Sequence, residues 1–311
     1  MNDQPLLLLY RGVLGSCNYD CPYCPFAKHR SDAAELEQDE AELERFVGWA
    51  QSYDQLRADD GRLPSRLSVL FTPWGEALIR SWYRRALVAL SHSSHIHKVA
   101  IQTNLSVQTG WLTEADLDRV DLWCSFHPGE VDYDAFLERC LALREMGAGF
   151  SVGVVGLKEH LPSAERLRED LPADVYLWIN AYRHQGLDYY SPLDIAAFRR
   201  LDPLFELNLR PHPSRGKLCH AGSKALSVAG DGTLKRCHFI PEPIGNLYTD
   251  SLGDVLRPRL CSAGACGCHI GYVHLDALDL YRTFGDGLAA RIPSQIPPTA
   301  TTIHSSNRLQ P

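Results

Sequence analysis

The chain has 311 residues, of which 45% are hydrophobic and 22% are charged, a composition typical of soluble globular proteins. Its net charge of -7 excludes the overall basic field that attracts nucleic acids or anionic membranes. No apolar stretch approaches the length of a membrane span, and the N-terminus lacks the basic region of a signal peptide. We therefore expect a cytoplasmic protein that binds neither nucleic acid nor membrane.

Short apolar runs alternate with segments of helical spacing through the first 180 residues. The runs with strand character are 6–10, 67–71, 99–101, 122–126, 150–155 and 175–179. Asp32 with Glu35 predicts a helix start after the first run, and helical spacing recurs at 82–90 and 133–146. Repeated βα units predict an α/β fold with a parallel sheet of six strands, fewer than a closed barrel needs. A partial barrel and a doubly wound open sheet both fit this pattern.

The composition changes near Arg210, after which Gly, Pro, Cys and His become frequent. Two short runs, 225–228 and 233–237, flank Gly230-Asp231-Gly232, a pattern that predicts a β-hairpin. The end of the chain is rich in Pro, Ser and Thr and poor in apolar residues, which is typical of disorder. The predicted regions are a core over 1–210, a small cysteine-rich extension over 211–280 and a disordered tail over 281–311.

Ten cysteines are many for a cytoplasmic chain, where disulfides are rare, so their clustering indicates metal ligands or redox groups. Cys17, Cys21 and Cys24 place three thiols on one short loop directly after the first predicted strand. Such tight spacing suits a polynuclear cluster, and three ligands would leave one iron of a cubane open to a small molecule. A zinc ion with a distant fourth ligand is the alternative.

A second group of cysteines lies in the predicted extension and consists of Cys219, Cys237, Cys261, Cys266 and Cys268. Gly230 and Gly232 permit the positive φ of a tight turn that returns Cys237 to the side of Cys219. Five thiols can supply the four ligands of a second cluster and leave one over. A rubredoxin-like or zinc-ribbon site is the alternative.

The segment Cys17-Asn18-Tyr19-Asp20-Cys21-Pro22-Tyr23-Cys24 resembles the signature of the radical S-adenosylmethionine (SAM) superfamily, including the aromatic Tyr23. The resemblance implies a partial (β/α)6 barrel, a [4Fe-4S] cluster on the three cysteines and SAM bound at the open iron. It also implies reductive cleavage of SAM to methionine and a 5′-deoxyadenosyl radical, which abstracts hydrogen from a substrate. An electron donor such as a flavodoxin or ferredoxin would then be a partner.

The end of the second predicted strand, Phe71-Thr72-Pro73-Trp74-Gly75-Glu76, is similar to the Gly-Gly-Glu segment of the same superfamily. Trp74 replaces the first glycine. The resemblance implies that Gly75 and Glu76 contact the amino group of SAM. The structural alternative for Glu76 is a carboxylate at a helix N-terminus, where the helix dipole stabilises negative charge.

The next two predicted strands end in polar residues that also resemble SAM contacts. Asn104 closes the third strand, where the superfamily has a Thr-Asn-Gly-like turn, and Ser125 and His127 close the fourth, where ribose contacts occur. A turn hydroxyl and a surface imidazole are the alternatives for Ser125 and His127. Ligands bind open α/β sheets at the carboxyl ends of the strands, so we expect these segments to converge on one mouth.

The extension resembles the SPASM/twitch domains that follow many radical SAM cores. Twelve residues lie between Cys219 and Gly232, and four lie between Gly232 and Cys237, as in those domains. The 244–252 segment is also similar. The last three cysteines are compressed into Cys261-x4-Cys266-x-Cys268, which favours one auxiliary [4Fe-4S] cluster over two. As a whole, the chain resembles a bacterial group of radical SAM proteins often labelled STM-type.

The resulting hypothesis is a radical SAM enzyme that oxidises a small polar metabolite, with the auxiliary cluster as electron relay or acceptor. Radical modification of a peptide or protein and a non-catalytic two-cluster electron carrier are the alternatives. Candidate substrate contacts follow the last predicted strand of the core and are Tyr182, Arg183, Arg210 and His212. Cys124 lies near the predicted mouth and is either a catalytic thiol or a core residue.

Overall fold

The core of the protein is a sheet of parallel strands, and a computed structural model describes it over residues 4–26, 29–186 and 188–295. The first six strands are β1 (Leu6–Arg11), β2 (Leu67–Phe71), β3 (Ile96–Thr103), β4 (Val120–Phe126), β5 (Gly149–Val155) and β6 (Leu177–Asn180). They lie side by side in sequence order, and each pairs in parallel with the next. The predicted α/β fold with its six parallel strands is confirmed.

Helices connect these strands and cover one face of the sheet. They are α1 (Ala33–Gln51), α2 (Tyr53–Asp59), α3 (Ser81–Ser91), α4 (Tyr133–Met146), α5 (Leu161–Asp170) and α6 (Pro192–Leu201). The capping box predicted at Asp32 is present, since its side chain accepts from the Glu35 N–H at 2.9 Å. Phe46 of α1 packs on Tyr10 of β1 with ring centroids 4.5 Å apart, which seats this helix on the sheet.

The strands are buried on both faces, as expected for a parallel sheet. In β1, Leu6, Leu8 and Tyr10 join the core under the helices. The alternate residues Leu7 and Leu9 face the other side, where they meet side chains from the C-terminal part of the chain. These C-terminal residues are Ile270, Tyr272, Val273, Leu275, Leu280, Phe284, Ala289 and Ala290.

The predicted extension adds three strands to this same sheet. They are β9 (Ala225–Ala229), β10 (Thr233–Lys235) and β11 (Pro243–Asn246), which complete the nine-stranded order β11-β10-β9-β1-β2-β3-β4-β5-β6. β9 pairs in parallel with β1, and β10 is antiparallel to both of its neighbours. The hairpin predicted around Gly230-Asp231-Gly232 is therefore confirmed, and Gly232 has the positive φ of +87° that its turn requires.

The remaining elements of the extension are short. Four strands form two antiparallel pairs: β7 (His212–Pro213) with β13 (Ala265–Cys266), and β8 (Leu218–Cys219) with β12 (Arg259–Leu260). Three helices are α7 (Leu252–Val255), α8 (His269–Tyr272) and α9 (Leu280–Phe284). These elements bring distant cysteines together, as described below.

The prediction of a disordered tail over 281–311 is wrong for its first part. Residues of α9 and of a 3-10 helix, Gly285–Ala290, are ordered, because Phe284 and Ala290 are buried against the sheet face opposite the helices. The tail predicted over 296–311 lies outside the described residues. Within the described part of the chain, no helix has the length and apolar character to cross a membrane.

Candidate metal and cofactor site at the strand ends

The loop after β1 carries Cys17, Cys21 and Cys24 over the carboxyl ends of the neighbouring strands. All three line one cavity of about 130 Å³. The other residues that line it are Tyr19, Phe26, Trp74, Gly75, Glu76, Gln102, Thr103, Asn104, Ser125 and His127. The cavity therefore brings together the predicted cluster ligands of the first group and every SAM contact predicted from the resemblance except Tyr23, which borders it through His127.

Gly75 holds the end of β2 against the cysteine loop. A Cβ atom at this position would lie 1.8 Å from the carbonyl oxygen of Ser16 and 2.9 Å from the backbone nitrogen of Cys17. Both neighbours are backbone atoms and cannot rotate away, so only glycine fits. The loop that carries the three thiols is thus positioned by direct backbone packing on the segment that leads to Glu76.

Glu76 is 2% exposed and accepts hydrogen bonds from three groups around the cavity. The donors are the backbone N–H groups of Leu78, at 2.9 Å, and Asn104, and the hydroxyl of Thr103, at 2.9 Å. Burial raises the pKa of Glu76 to about 7, although these donors oppose the rise. The three donors therefore fix the orientation of the carboxyl group. A cation placed beside it would favour its ionised form.

Two further polar contacts connect the strand ends to the loop. The Asn104 amide donates to the side-chain oxygen of Asn18 at 3.0 Å, and its nitrogen lies 3.8 Å from the Cys17 sulfur. His127 Nδ1 lies 3.0 Å from the Tyr23 hydroxyl and 3.5 Å from the Cys21 sulfur. His127, just after β4, thus contacts the cysteine loop at both Cys21 and Tyr23.

His127 is neutral near physiological pH. Burial, with a smaller contribution from His160, lowers its pKa to about 4. A neutral imidazole can donate from one ring nitrogen and accept at the other, so it suits contact with a hydroxyl group. Ser125, two residues earlier, lines the same cavity with a second hydroxyl-bonding group.

Burial disfavours the thiolate forms of two of the loop thiols. Burial raises the pKa of Cys17 above its ordinary value and that of Cys21 to about 11. Iron binds thiolate, so ligation would release protons and depend on pH. The donor set fits an iron–sulfur cluster, since a cubane presents a different iron to each of three cysteines that share one cavity.

The second group of cysteines converges from four short segments. Cys219 lies in β8, Cys266 in β13, Cys237 just after β10 and Cys268 just before α8. Burial, together with the other four thiols of the group, raises the pKa of Cys266 to about 12. The five residues therefore share one region, as the spacing predicts for a second metal site. Among the described residues, no three Cys, His, Asp or Glu side chains are placed to hold a single metal ion.

Arg236 is a residue of this region that the sequence analysis did not identify. It is 5% exposed, and its guanidinium donates to the backbone carbonyls of Ala221, at 3.2 Å, and Arg259, at 3.0 Å. Its charge lowers the pKa of Cys219 and of Cys237, against the rise that burial causes. A buried cation beside two thiols stabilises their thiolate forms, which are the forms that bind iron.

Cys268 differs from the other four members of the group. It is accessible to solvent, whereas Cys261 is buried. The surrounding protein raises the pKa of the Cys268 thiol, but the guanidinium groups of Arg183, Arg291 and Arg11 oppose that rise. Cys268 therefore faces a cationic environment.

The four candidate substrate contacts lie outside the cavity of Cys17, Cys21 and Cys24. Tyr182 makes tilted and edge-on contacts with neighbouring aromatic rings, and Arg183 donates to the backbone carbonyl of Gly267 at 2.6 Å. Arg210 is exposed, and His212 contacts a backbone carbonyl at 2.7 Å. None of these four lines the cysteine cavity, so their contact with substrate stays a prediction.

Cys124 is fully buried in the core under the helices, not in the cavity. Burial and the nearby Cys140 raise the pKa of its thiol well above the ordinary value. The structure thus places Cys124 as a core residue, the second of the two interpretations of its position in the sequence.

The sheet order and the cavity at its carboxyl edge define the class of fold. Parallel strands run in sequence order with helices between them, as in the α/β architecture that the resemblance to radical SAM proteins implies. The sequence itself matches no protein-family model and no curated protein. The fold class is therefore assigned from the structure and from its likeness to solved structures.

Two solved structures with this fold contain S-adenosylmethionine. Native anSMEcpe with bound AdoMet and Kp18Cys peptide has a TM-score of 0.52 and 12% identity, over 81% of this chain and 80% of that chain. SuiB of Streptococcus suis bound to S-adenosylmethionine has a TM-score of 0.51 and 15% identity, over 81% of this chain and 65% of that chain. At these identities the likeness shows the fold alone.

Proposed function

We propose that the chain is a radical SAM enzyme that cleaves S-adenosylmethionine reductively. The observation that carries this proposal is the convergence of Cys17, Cys21 and Cys24 with Glu76 and His127 on one cavity. These residues come from three separate strand ends, so their meeting is a property of the fold and not of one local motif. The fold shared with two SAM-bound structures supports the proposal.

In this proposal, the three thiolates of the loop hold a [4Fe-4S] cluster with one open iron. Held there, the cluster would supply the electron for cleavage of SAM to methionine and a 5′-deoxyadenosyl radical, which would abstract hydrogen from the substrate. Glu76 orients the ammonium group of SAM, and that positive charge favours the ionised carboxylate. Asn104, Ser125 and neutral His127 donate to or accept from the ribose and amino-acid portions of SAM.

The second group of cysteines is proposed to hold one auxiliary [4Fe-4S] cluster. We assign Cys219, Cys237, Cys261 and Cys266 as its ligands, because Cys268 is the solvent-exposed member of the group and lies near three arginines. Such a cluster would serve as electron relay or acceptor for the substrate radical, which would lose one electron and one proton after hydrogen abstraction and so complete a two-electron oxidation. An external donor such as a flavodoxin or ferredoxin supplies the electron for SAM cleavage.

Oxidation of a small polar metabolite in the cytoplasm is the leading reaction. Radical modification of a peptide or protein is the second candidate, and the Kp18Cys peptide bound to anSMEcpe shows that the same fold accommodates such a ligand in that protein. A two-cluster electron carrier is the third. A carrier ordinarily has a protein ligand for every iron, whereas the loop after β1 supplies three thiols for four irons.

Anaerobic reconstitution tests the proposal directly. We expect about eight irons with matching sulfide per chain, and 5′-deoxyadenosine after addition of dithionite and SAM. About two zinc ions and no 5′-deoxyadenosine would favour the alternative of zinc sites instead. Iron without 5′-deoxyadenosine would favour the electron carrier.

Two cysteine variants identify the cluster that cleaves SAM. Replacing Cys17, Cys21 and Cys24 by Ala should leave roughly half of the iron and abolish cleavage. Replacing Cys219 and Cys237 by Ala should also remove about half of the iron but retain some 5′-deoxyadenosine formation. Cleavage that persists in the first variant would show that the cluster assignment is wrong.

A further inference from the structure

A second, larger cavity of about 560 Å³ lies beside the cysteine cavity, at the carboxyl ends of β1 and β9. Its volume is within the range of small-molecule sites. The core contributes Arg11 and Trp74 to its wall, and the hairpin of the extension contributes Ser227, Asp231 and Lys235. Trp74 lines both cavities, so the indole ring is their common wall.

Arg11 presents a positive charge in this cavity. Its guanidinium lies over the Trp74 ring, 4.0 Å from the centroid, and its Nε donates to the backbone carbonyl of Thr72 at 2.8 Å. Burial lowers the pKa of Arg11 to about 10, so the side chain remains protonated near neutral pH. The terminal nitrogens of its fork are thus positioned as donors for a ligand.

Lys235 adds a second positive charge near the first. It pairs with Ser227 across β10 and β9, so the two side chains share one face of the sheet. His238 joins them: its imidazole contacts the Ser227 hydroxyl and lies 3.0 Å from the Thr72 hydroxyl. Burial and the charges of Arg11 and Lys235 lower the pKa of His238 well below its ordinary value, so it is neutral.

Over residues 4–26, 29–186 and 188–295, neither Arg11 nor Lys235 forms an ion pair. Glu42 and Asp231 also line the cavity, and neither pairs with Arg11 or Lys235. Glu42 Oε1 accepts from Gln38 at 2.8 Å, Glu42 Oε2 is buried without a hydrogen-bond partner among the described residues, and Asp231 accepts from a backbone N–H. Partly buried cations are costly when they lack an anion, and a ligand can supply it.

We propose, on the basis of the radical SAM function above, that this cavity is the substrate site and that its substrate is a small polar molecule with a carboxylate or phosphate group. Arg11 and Lys235 bind that group, and the Trp74 ring packs against the carbon framework. Glu42 and Asp231 accept hydrogen bonds from hydroxyl or amino groups on the same molecule. The shared wall places the substrate next to the cavity where the radical forms.

Protection of Lys235 from acetylation tests the anion site. The reconstituted protein is treated with acetic anhydride at increasing concentrations of inorganic phosphate or acetate, at constant ionic strength, and each lysine is followed by mass spectrometry. We expect saturable protection of Lys235 and none of Lys217, an exposed lysine outside the cavity that serves as internal control. Stronger protection by phosphate would indicate a phosphate group, and stronger protection by acetate a carboxylate.

Substitution of Arg11 tests its part in the site. Arg11→Met should raise the anion concentration needed for half-protection of Lys235 about tenfold, and Arg11→Lys should restore part of the loss. Equal acetylation of Lys235 with and without both anions would overturn the proposal. So would equal protection of Lys235 and Lys217, or unchanged protection in Arg11→Met.

A second experiment connects the anion site to turnover. A low-molecular-mass extract is separated on an anion-exchange resin, and each fraction is added to enzyme, SAM and dithionite. We expect the retained fraction to increase 5′-deoxyadenosine formation in the wild type and much less in Lys235→Met. Stimulation by the unretained fraction alone would overturn the proposal. Absence of any 5′-deoxyadenosine would instead contradict the proposed function, while the acetylation experiment still decides the anion site.

Discussion

At the scale of single residues, the strictest constraint on the site is the packing of Gly75 on the cysteine loop. The backbone of Gly75 packs on the backbone of Ser16 and Cys17 and leaves no room for a Cβ atom. The position of the three thiols on this loop therefore depends on glycine at position 75. The sequence resemblance pointed to Gly75 as a SAM contact. The structure adds a reason that needs no ligand, which is close backbone approach.

Gly75→Ala should displace the loop and weaken cluster binding. Overpacking of this kind costs about 1–3 kcal/mol of unfolding free energy, and the variant should retain about half of the iron after reconstitution. Gly48→Ala is the matched control, because a Cβ at Gly48 in α1 meets no atom within 4 Å. Iron content and urea unfolding measure the two effects. Full iron content in Gly75→Ala would contradict this role for the glycine.

The raised pKa of Glu76 predicts a specific dependence of the unfolding free energy on pH. Its pKa rises from 4.5 to about 7 on folding, so between these values the folded protein holds a proton that the unfolded chain releases. The contribution of Glu76 to the unfolding free energy is therefore greatest below pH 4.5. It falls by up to about 1.4 kcal/mol per pH unit until about pH 7.

Glu76→Gln should remove this part of the slope, although loss of carboxylate hydrogen bonds lowers its stability at every pH. Urea unfolding of both proteins at pH 5, 6, 7 and 8 gives the difference directly. Parallel curves for wild type and Glu76→Gln would show that the pKa of Glu76 is not raised. The same titration should strengthen SAM binding as pH increases toward 7, because the ionised carboxylate attracts the ammonium group.

At the scale of elements, the extension is part of the main sheet. Parallel pairing of β9 with β1 extends the sheet, and Leu226 of β9 is fully buried in the core under the helices. A core with its own sheet edge at β1 would expose unpaired backbone groups there. We therefore expect the region over 1–210 and the extension to unfold together.

Leu226→Ala tests this cooperativity. The substitution should lower the unfolding free energy of the whole protein by about 2–5 kcal/mol, as for other buried leucines, within a single transition. Leu260→Ala is the control: Leu260 is 58% exposed in β12, and its substitution should change stability by less than about 0.5 kcal/mol. Two separate transitions, with only one shifted by Leu226→Ala, would show that the extension folds independently.

Local patterns predicted the elements well but not their long-range pairing. Short apolar runs predicted the six strands, and Gly230-Asp231-Gly232 predicted the hairpin, because both depend on neighbours in sequence. The pairing of β9 with β1 joins residues more than 200 positions apart, and no local feature marks it. The residues after 280 were wrongly predicted to be disordered for the same reason. Phe284 is ordered by contact with a sheet face that is distant in sequence.

The same limit applies to the sites. Cys17, Cys21 and Cys24 are close in sequence, so their spacing alone is enough to predict a shared site. Arg11 and Lys235 are far apart in sequence, and each is an ordinary charged residue in its own segment. Their common cavity exists because β10 lies two strands from β1 in the folded sheet. Only the three-dimensional arrangement shows that two cations share a wall.

At the scale of the whole molecule, the last described residues of the chain pack against the end of the sheet. Arg291 is 2% exposed and lies over the Trp178 ring of β6, 4.7 Å from its centroid. Its charge acts on Asp202, which is fully buried and accepts from the Tyr176 hydroxyl at 2.6 Å. Burial raises the pKa of Asp202, and Arg291 opposes that rise.

A double-mutant cycle on Asp202 and Arg291 measures this connection. Arg291→Met leaves the buried carboxyl of Asp202 without its opposing charge. The substitution should therefore lower the unfolding free energy strongly in the wild type and less in the Asp202→Asn background. We expect a coupling energy of about 1–3 kcal/mol from urea unfolding.

The exposed pair Arg199 and Glu206, 2.9 Å apart, provides the matched control for this cycle. Arg199→Met with Glu206→Gln should couple by less than about 1 kcal/mol, because solvent screens exposed charges. Equal coupling energies in the two cycles would contradict a role for the buried pair in holding the segment of Arg291 against the sheet. Greater coupling at Asp202 and Arg291 would mean that the C-terminal turns help to hold β6, and with it the sheet on which the cysteine cavity is built.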